Sequence, residues 1–268
     1  MTDNEVTPLP EAFYLPRGEN EFDSTRATTS PWDERMQHGG PPAALLTRAV
    51  ERVREDKAMS IGRLTIDMLG PIPQGRIRTE ATIVRPGKRI ELVEAKLWAE
   101  DRLAVTATAW RMRSTPESSA EVAANFDTSS VPEPQEQKYF PGISSDWGYG
   151  RAIEWRFVSG GLQELGAADV WVRPRIPLVA GEDTSPIQRF VIVADSANGV
   201  SAAVPYGEWT FIPPSLSLTF GREPKSEWLN MNVRTHVGPD GRGVANGDLA
   251  DEIGYVGAVT QPLLIARL

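Results

Sequence analysis

The sequence contains no cysteine, which excludes disulfides, thiol nucleophiles and thiolate-bound metals. Histidine is almost as scarce. His38 and His236 are the only two, too few for a metal centre built on several imidazoles. No apolar run approaches the ~20 residues of a membrane span. The opening MTDNEVTPLP has no basic stretch leading into an apolar one, so no secretory leader is expected and a cytoplasmic location is. Positive charge is in deficit, 28 Lys plus Arg against 36 Asp plus Glu, for a net charge of −8. That balance argues against broad binding to nucleic acid or anionic membrane. A phosphate-bearing ligand would need a local basic patch. No Gly-x-Ser-x-Gly elbow is present, and Gly241-x-Gly243 lacks the third glycine of a dinucleotide fingerprint.

What is present is core-forming. With 268 residues and 40% hydrophobic content, the chain suits one large domain or two small ones. The stretch Ser185–Gly199 carries helix signals at both ends. Ser185 is a candidate N-cap, Pro186 stands at the first helical position, and Gln188 can complete a capping box. Gly199 can close the helix. Phe190 to Ala194 are apolar on every face, so the helix is expected to be buried. Asp195 falls inside it. A carboxylate there must be hydrogen-bonded, neutralised or used; the alternative is an Asp that turns aside to cap a loop.

Elements recur along the chain. Glu21–Thr28 is a candidate strand. Met36–Val53 reads as a Pro-led helix with apolar residues at Leu45, Leu46, Ala49 and Val53. Strand-like runs follow at Arg63–Leu69, Gly75–Val84, Ile90–Ala99 and Leu103–Met112. Ser114–Gln137 is polar and without periodicity, so it reads as a linker or a surface loop. Then strands at Arg151–Val158 and Ala168–Ile176, the Ser185 helix, and strands at Trp209–Phe220, Glu227–Thr235, Gly243–Leu249 and Tyr255–Ala266 repeat the order. Such duplication fits an α+β architecture of two units, each a curled antiparallel sheet around a helix. The expected division is 1–114, a linker at 115–148, and 149–268.

This pattern, with HGGPPAALL opening the first helix and VTQ in the last strand, resembles the double-hotdog acyl-CoA thioesterases. It is closest to the acyl-CoA thioesterase II family and its actinobacterial-type members. The resemblance spans about Trp32 to Leu268 apart from the linker. It implies a hydrolase of lipid metabolism acting on acyl-CoA, with a water held by an Asp, a Thr or Ser, and a Gln. Carried onto this chain, these are Asp195 of ADSAN, Ser215 of PSLSL, with Thr219 in reserve, and Gln261 of TQPL. Two departures stand out: Ser replaces the more frequent Thr, and Pro262 follows the Gln inside a strand, where Pro is poorly tolerated.

The residues themselves suit that chemistry. A buried carboxylate that activates water needs orienting groups and donors for the oxyanion, and no metal or cofactor is expected. Gln261 shares strand parity with Val259 and Leu263, so it projects from an apolar face and needs a partner. Its first-half counterpart is Ala107. Ser215 shares parity with Ser217 and Thr219, which suits a solvated face equally well. Gly39 and Gly40 would let substrate reach backbone donors at a helix N-terminus, unless they only make a tight turn. His38 beside them is a candidate ligand contact. Arg85 and Lys88, in a basic turn, are candidates for the coenzyme phosphates, with Arg173 and Arg175 as a second pair. Other readings remain: a non-catalytic acyl-binding protein with a degraded site or, with no Asp–His hydratase stretch in view, an enoyl-CoA hydratase-like hotdog. Pairing of exposed sheet edges into a homo-oligomer is also open.

Overall fold

The structure is a computed structural model that describes residues 7–54, 58–115 and 126–268. A hairpin of β1 (Tyr14–Pro16) and β2 (Glu21–Ser24) precedes the helix α1 (Gly40–Arg52). Four strands follow: β3 (Met59–Met68), β4 (Arg76–Arg85), β5 (Ile90–Ala99) and β6 (Arg102–Arg113). The second part opens with the short helix α2 (Gly148–Ala152) and the strands β7 (Ile153–Ser159) and β8 (Ala168–Pro174). The helix α3 (Pro186–Ala194) and the turn α4 (Ala197–Val200) come next. Five strands close the chain: β9 (Trp209–Ile212), β10 (Ser215–Phe220), β11 (Leu229–Val237), β12 (Arg242–Asp251) and β13 (Gly254–Arg267).

These strands form one antiparallel sheet in the order β1-β2-β4-β5-β6-β3-β10-β13-β12-β11-β8-β7, with β9 on β13. The two parts meet where β10 pairs with β3, from Ser215 opposite Asp67 to Thr219 opposite Arg63. The sheet curls around α1 and α3, which pack on each other. This is the expected double hotdog. Alternation in the sequence produces it: on β5, Val93, Ala95, Leu97 and Ala99 are buried while Glu94 and Lys96 face out. Glu91 points inward on the same strand and is held by Arg54 at 2.7 Å and Arg111 at 3.3 Å. The turn into β6 uses Glu100 and Asp101 at φ +50° and +61°, the backbone that a two-residue hairpin requires.

Some elements end earlier than expected. Strand β2 stops at Ser24 because the Thr25 hydroxyl caps a 3-10 turn at Arg26–Thr28. The run Trp209–Phe220 divides into β9 and β10 at Pro213-Pro214. Opposite that break, β13 continues through Pro262. Strand β10 pairs with 257–260 and β9 with 264–267, so Pro262 lies where that flank has no strand partner. Of the linker expected at 115–148, residues 116–125 lie outside the described residues. From 126 to 147 the chain forms no regular element but is tied down. Gln135 and Gln137 each exchange two hydrogen bonds, at 2.8–3.0 Å, with the backbone of Phe157 and Trp155 on β7.

Among the described residues, no helix is long and apolar enough to cross a membrane, and no cluster of three or more His, Asp or Glu side chains could hold a metal ion.

Candidate active site

Helix α3 starts as its sequence dictates, with the Ser185–Gln188 capping box and Pro186 in the first turn. It does not run on to Gly199. At its end the hydrogen bonding tightens, and the Ser196 N–H donates to Val193 O at 2.9 Å. The Ile192 carbonyl, freed by this change, accepts from the Tyr149 hydroxyl at 2.8 Å. Asp195 is thereby the C-cap residue, with φ −64° and ψ −15°, not a residue inside a longer helix.

Its carboxylate meets the start of α1. The backbone N–H groups of Gly39 and Gly40 favour its charged form, and His38 Nδ1 lies 3.2 Å from Oδ2. Pro41 and Pro42 carry no N–H, so Gly39 and Gly40 supply the free donors of that first turn. The Gly40 N–H is shared with His38 Nδ1, 3.2 Å away. The glycines are steric necessities. A Cβ on Gly39 would stand 2.8 Å from Asp195 Oδ2, and one on Gly40 would collide with Ile192 O. From β13, Gln261 Nε2 donates to Asp195 Oδ1 at 3.2 Å and to its carbonyl at 3.1 Å. Gln261 Oε1 accepts from the Asn198 N–H at 3.0 Å, so this buried amide is fully engaged.

Burial sets the protonation of the site. Loss of water raises the Asp195 carboxyl to about 7, against the pull of the Gly39, Gln261 and Gly40 donors. The same cause lowers the His38 imidazole to about 3. The contact has the distance of an ion pair, but both partners are pressed toward the neutral form. Between about pH 4 and 6 the pair therefore holds one proton. His38 is fixed from its other face by Tyr149, whose ring stacks on it at 3.8 Å and 8°. The Tyr149 hydroxyl also contacts Ser196 Oγ at 2.9 Å.

Asp195, His38 and Gly39 line a cavity of about 450 Å³. Its walls are mainly apolar and include Met68, Phe140, Trp147, Trp155 and Phe211. Other expected residues lie elsewhere. Ser215 is not in the cavity wall. Its Oγ donates to Ile66 O at 3.0 Å, and it alternates with the core residues Leu216 and Leu218. Thr219 is exposed on that same outward face. Arg85 and Lys88 are remote from the site. Met68 stands in rung with Val105, Leu97 and Thr79, and Arg85 is six residues further along β4, roughly 20 Å away at the rise of a strand. Arg173 is engaged by Glu154 and Glu227 and lies over Trp228. Tyr149, Ser196 and Asn198 carry no motif that would have singled them out. Only proximity to Asp195 in ADSAN pointed to the last two.

Family models match both parts of the chain. The model described as "Acyl-CoA thioesterase N-terminal domain" covers residues 28–112, and "Acyl-CoA thioesterase C-terminal domain" covers 121–265. No curated protein matches the sequence. Solved structures share the fold at low identity. A conserved protein of unknown function with a hot dog fold from Alicyclobacillus acidocaldarius is 17% identical, with a TM-score of 0.70 over 96% of this chain and 97% of that one. A tesB protein from Mycobacterium avium subs. paratuberculosis is 14% identical, with a TM-score of 0.67 and coverages of 94% and 95%. The acyl-CoA thioesterase II TesB2 from Mycobacterium marinum is 14% identical, with a TM-score of 0.66 and coverages of 95% and 96%. With its C-terminal model alone spanning more than half of the sequence, the chain belongs to the acyl-CoA thioesterase family.

Proposed function

We propose that the protein hydrolyses an acyl-CoA thioester to free acid and CoA through a water activated by Asp195. One observation carries this reading: a buried carboxyl raised to about 7, bound by Gln261 and His38, on the wall of an apolar cavity. A base with that affinity for protons is half ionised at neutral pH, close to the optimum for proton transfer. Asp195 takes a proton from the water as its oxygen bonds to the thioester carbon. The carbon–sulfur bond then breaks, and the proton held by Asp195 passes to the departing sulfur. Gln261 keeps the carboxylate aimed.

Free-thiol release from acyl-CoA tests this. Asp195→Asn is expected to lower kcat at least 100-fold, within the range of general-base effects, while acyl-CoA still binds. The position of Ser215, outside the cavity, favours a second reading as a non-catalytic acyl-CoA carrier. Saturable binding by the wild-type protein without turnover would establish that reading instead.

A further inference from the structure

The cavity has a direction. Met68 packs against Gly39 beside Asp195, and the lining continues from it to Gly70 and the exposed Pro71. Beside Asp195, His38 stacks on Tyr149, and Tyr149 lies 5.5 Å from the Trp147 ring and 6.5 Å from that of Trp155. Trp147, Trp155, Phe140 and Leu162 line this inner side and are buried. If the scissile bond lies at Asp195, the carrier arm leaves past Met68 to the open lip, and the acyl group occupies the inner side.

The inner wall is made of rings braced on one another. Phe140 stacks on Tyr206 at 4.7 Å and 17°, and Tyr206 packs on Trp32 at 4.9 Å. Gly199 lets Phe140 approach closely, since a Cβ there would stand 3.2 Å from Phe140 Cζ. Phe140 and Trp147 both come from the stretch that joins the two parts of the chain. Such a wall does not yield as aliphatic side chains do, and it offers faces and edges suited to stacking. Size points the same way. A cavity of ~150 Å³ accepts a benzene ring, which leaves most of the 450 Å³ for the carrier arm. A sixteen-carbon chain, at ~30 Å³ per water-sized group, would fill the whole space.

We infer that the acyl group is compact and carries an aromatic ring, and that Phe140 selects it. The inference rests on the thioesterase reading and names its substrate class. Thiol release is measured with benzoyl-, phenylacetyl-, dodecanoyl- and hexadecanoyl-CoA, on the wild type and on Phe140→Leu and Phe140→Ala. The expected wild-type kcat/KM for the better aryl substrate exceeds that for either linear one at least tenfold, the discrimination one apolar pocket can supply. Both variants lose at least tenfold on the aryl substrates and hold or gain on dodecanoyl-CoA. Best turnover of a linear substrate by the wild type overturns the inference. So does an equal loss on all four thioesters in variants whose melting temperature matches the wild type. If the variants do not fold, the wild-type ranking decides. If nothing is hydrolysed, quenching of tryptophan fluorescence ranks the same four thioesters as ligands. Tightest binding of an aryl thioester then upholds the compartment while the catalytic reading falls, and tightest binding of a linear one removes both.

Discussion

At Asp195 and His38, burial acts on two groups in opposite directions. In the unfolded chain the carboxyl titrates near 3.9 and the imidazole near 6.5, whereas in the fold they titrate at about 7 and about 3. Between pH 4 and 6.5 the unfolded pair carries one proton, on His38, and the folded pair also carries one, on Asp195. The wild-type pair therefore adds no pH dependence to stability in that window. Removing one partner exposes the other. In Asp195→Asn, unfolding protonates His38, so stability falls as pH drops below about 6.5. In His38→Gln, unfolding releases the Asp195 proton, so stability falls as pH rises from about 4 to about 7. Each slope approaches 1.4 kcal/mol per pH unit, the value for one proton. Urea titrations across pH 4–7 check this, and parallel curves for the two variants would refute the shared proton. At Gly40, Ala would collide with the Ile192 carbonyl. A loss of about 1–3 kcal/mol is expected, as for overpacking, measured by thermal melting.

Asp195 and Gln261 were visible in the sequence because each is a polar residue set in an apolar period, helical for one and alternating for the other. The partners that hold them were not. Phe140 lies in the expected linker and Tyr149 in the one-turn helix α2, and nothing local shows that either folds over the site. Charge was legible and place was not: the basic turn at Arg85 and Lys88 is plain in the sequence, but only strand register shows which end of the sheet it occupies. Parity alone left Ser215 undecided, and pairing with β3 turns it outward.

Among the elements, β7 ends the sheet and would present unpaired backbone groups. Gln135 and Gln137 satisfy them. Their spacing of two matches that of Trp155 and Phe157, so two side-chain amides stand in for a neighbouring strand. Replacing both with Ala should leave the melting temperature within a few degrees but increase concentration-dependent association, read by light scattering. Unchanged scattering at high concentration would show that the edge is guarded by something else. The other end of the sheet is covered in a different way. Tyr14 exchanges backbone hydrogen bonds with Leu178 and Ala180.

For the molecule as a whole, the β3–β10 pairing and the packing of α1 on α3 tie the two repeats together. Each helix packs on the strands of its own repeat and on the other helix, so neither repeat can unfold without uncovering the helix of the other. A single cooperative transition is therefore expected in calorimetry, with equal calorimetric and van't Hoff enthalpies. Two resolved transitions would mean that the repeats are energetically separate.

The duplication also creates two poles, and the chain treats them differently. At one, Asp195 meets the start of α1 and faces a cavity. At the other, Glu51 near the end of α1 meets the start of α3, where the Ser185 hydroxyl and the Gln188 amide donate to it at 2.8 and 2.6 Å. That second carboxylate serves as a clasp between the helices, and the strand position matching Gln261 holds Ala107, which offers it no amide. A fold that began with twofold symmetry has thus become a polar object, with a working end and a fastened end. On the proposed reading its stoichiometry is one thioester per chain, with no cooperativity between sites inside a single molecule.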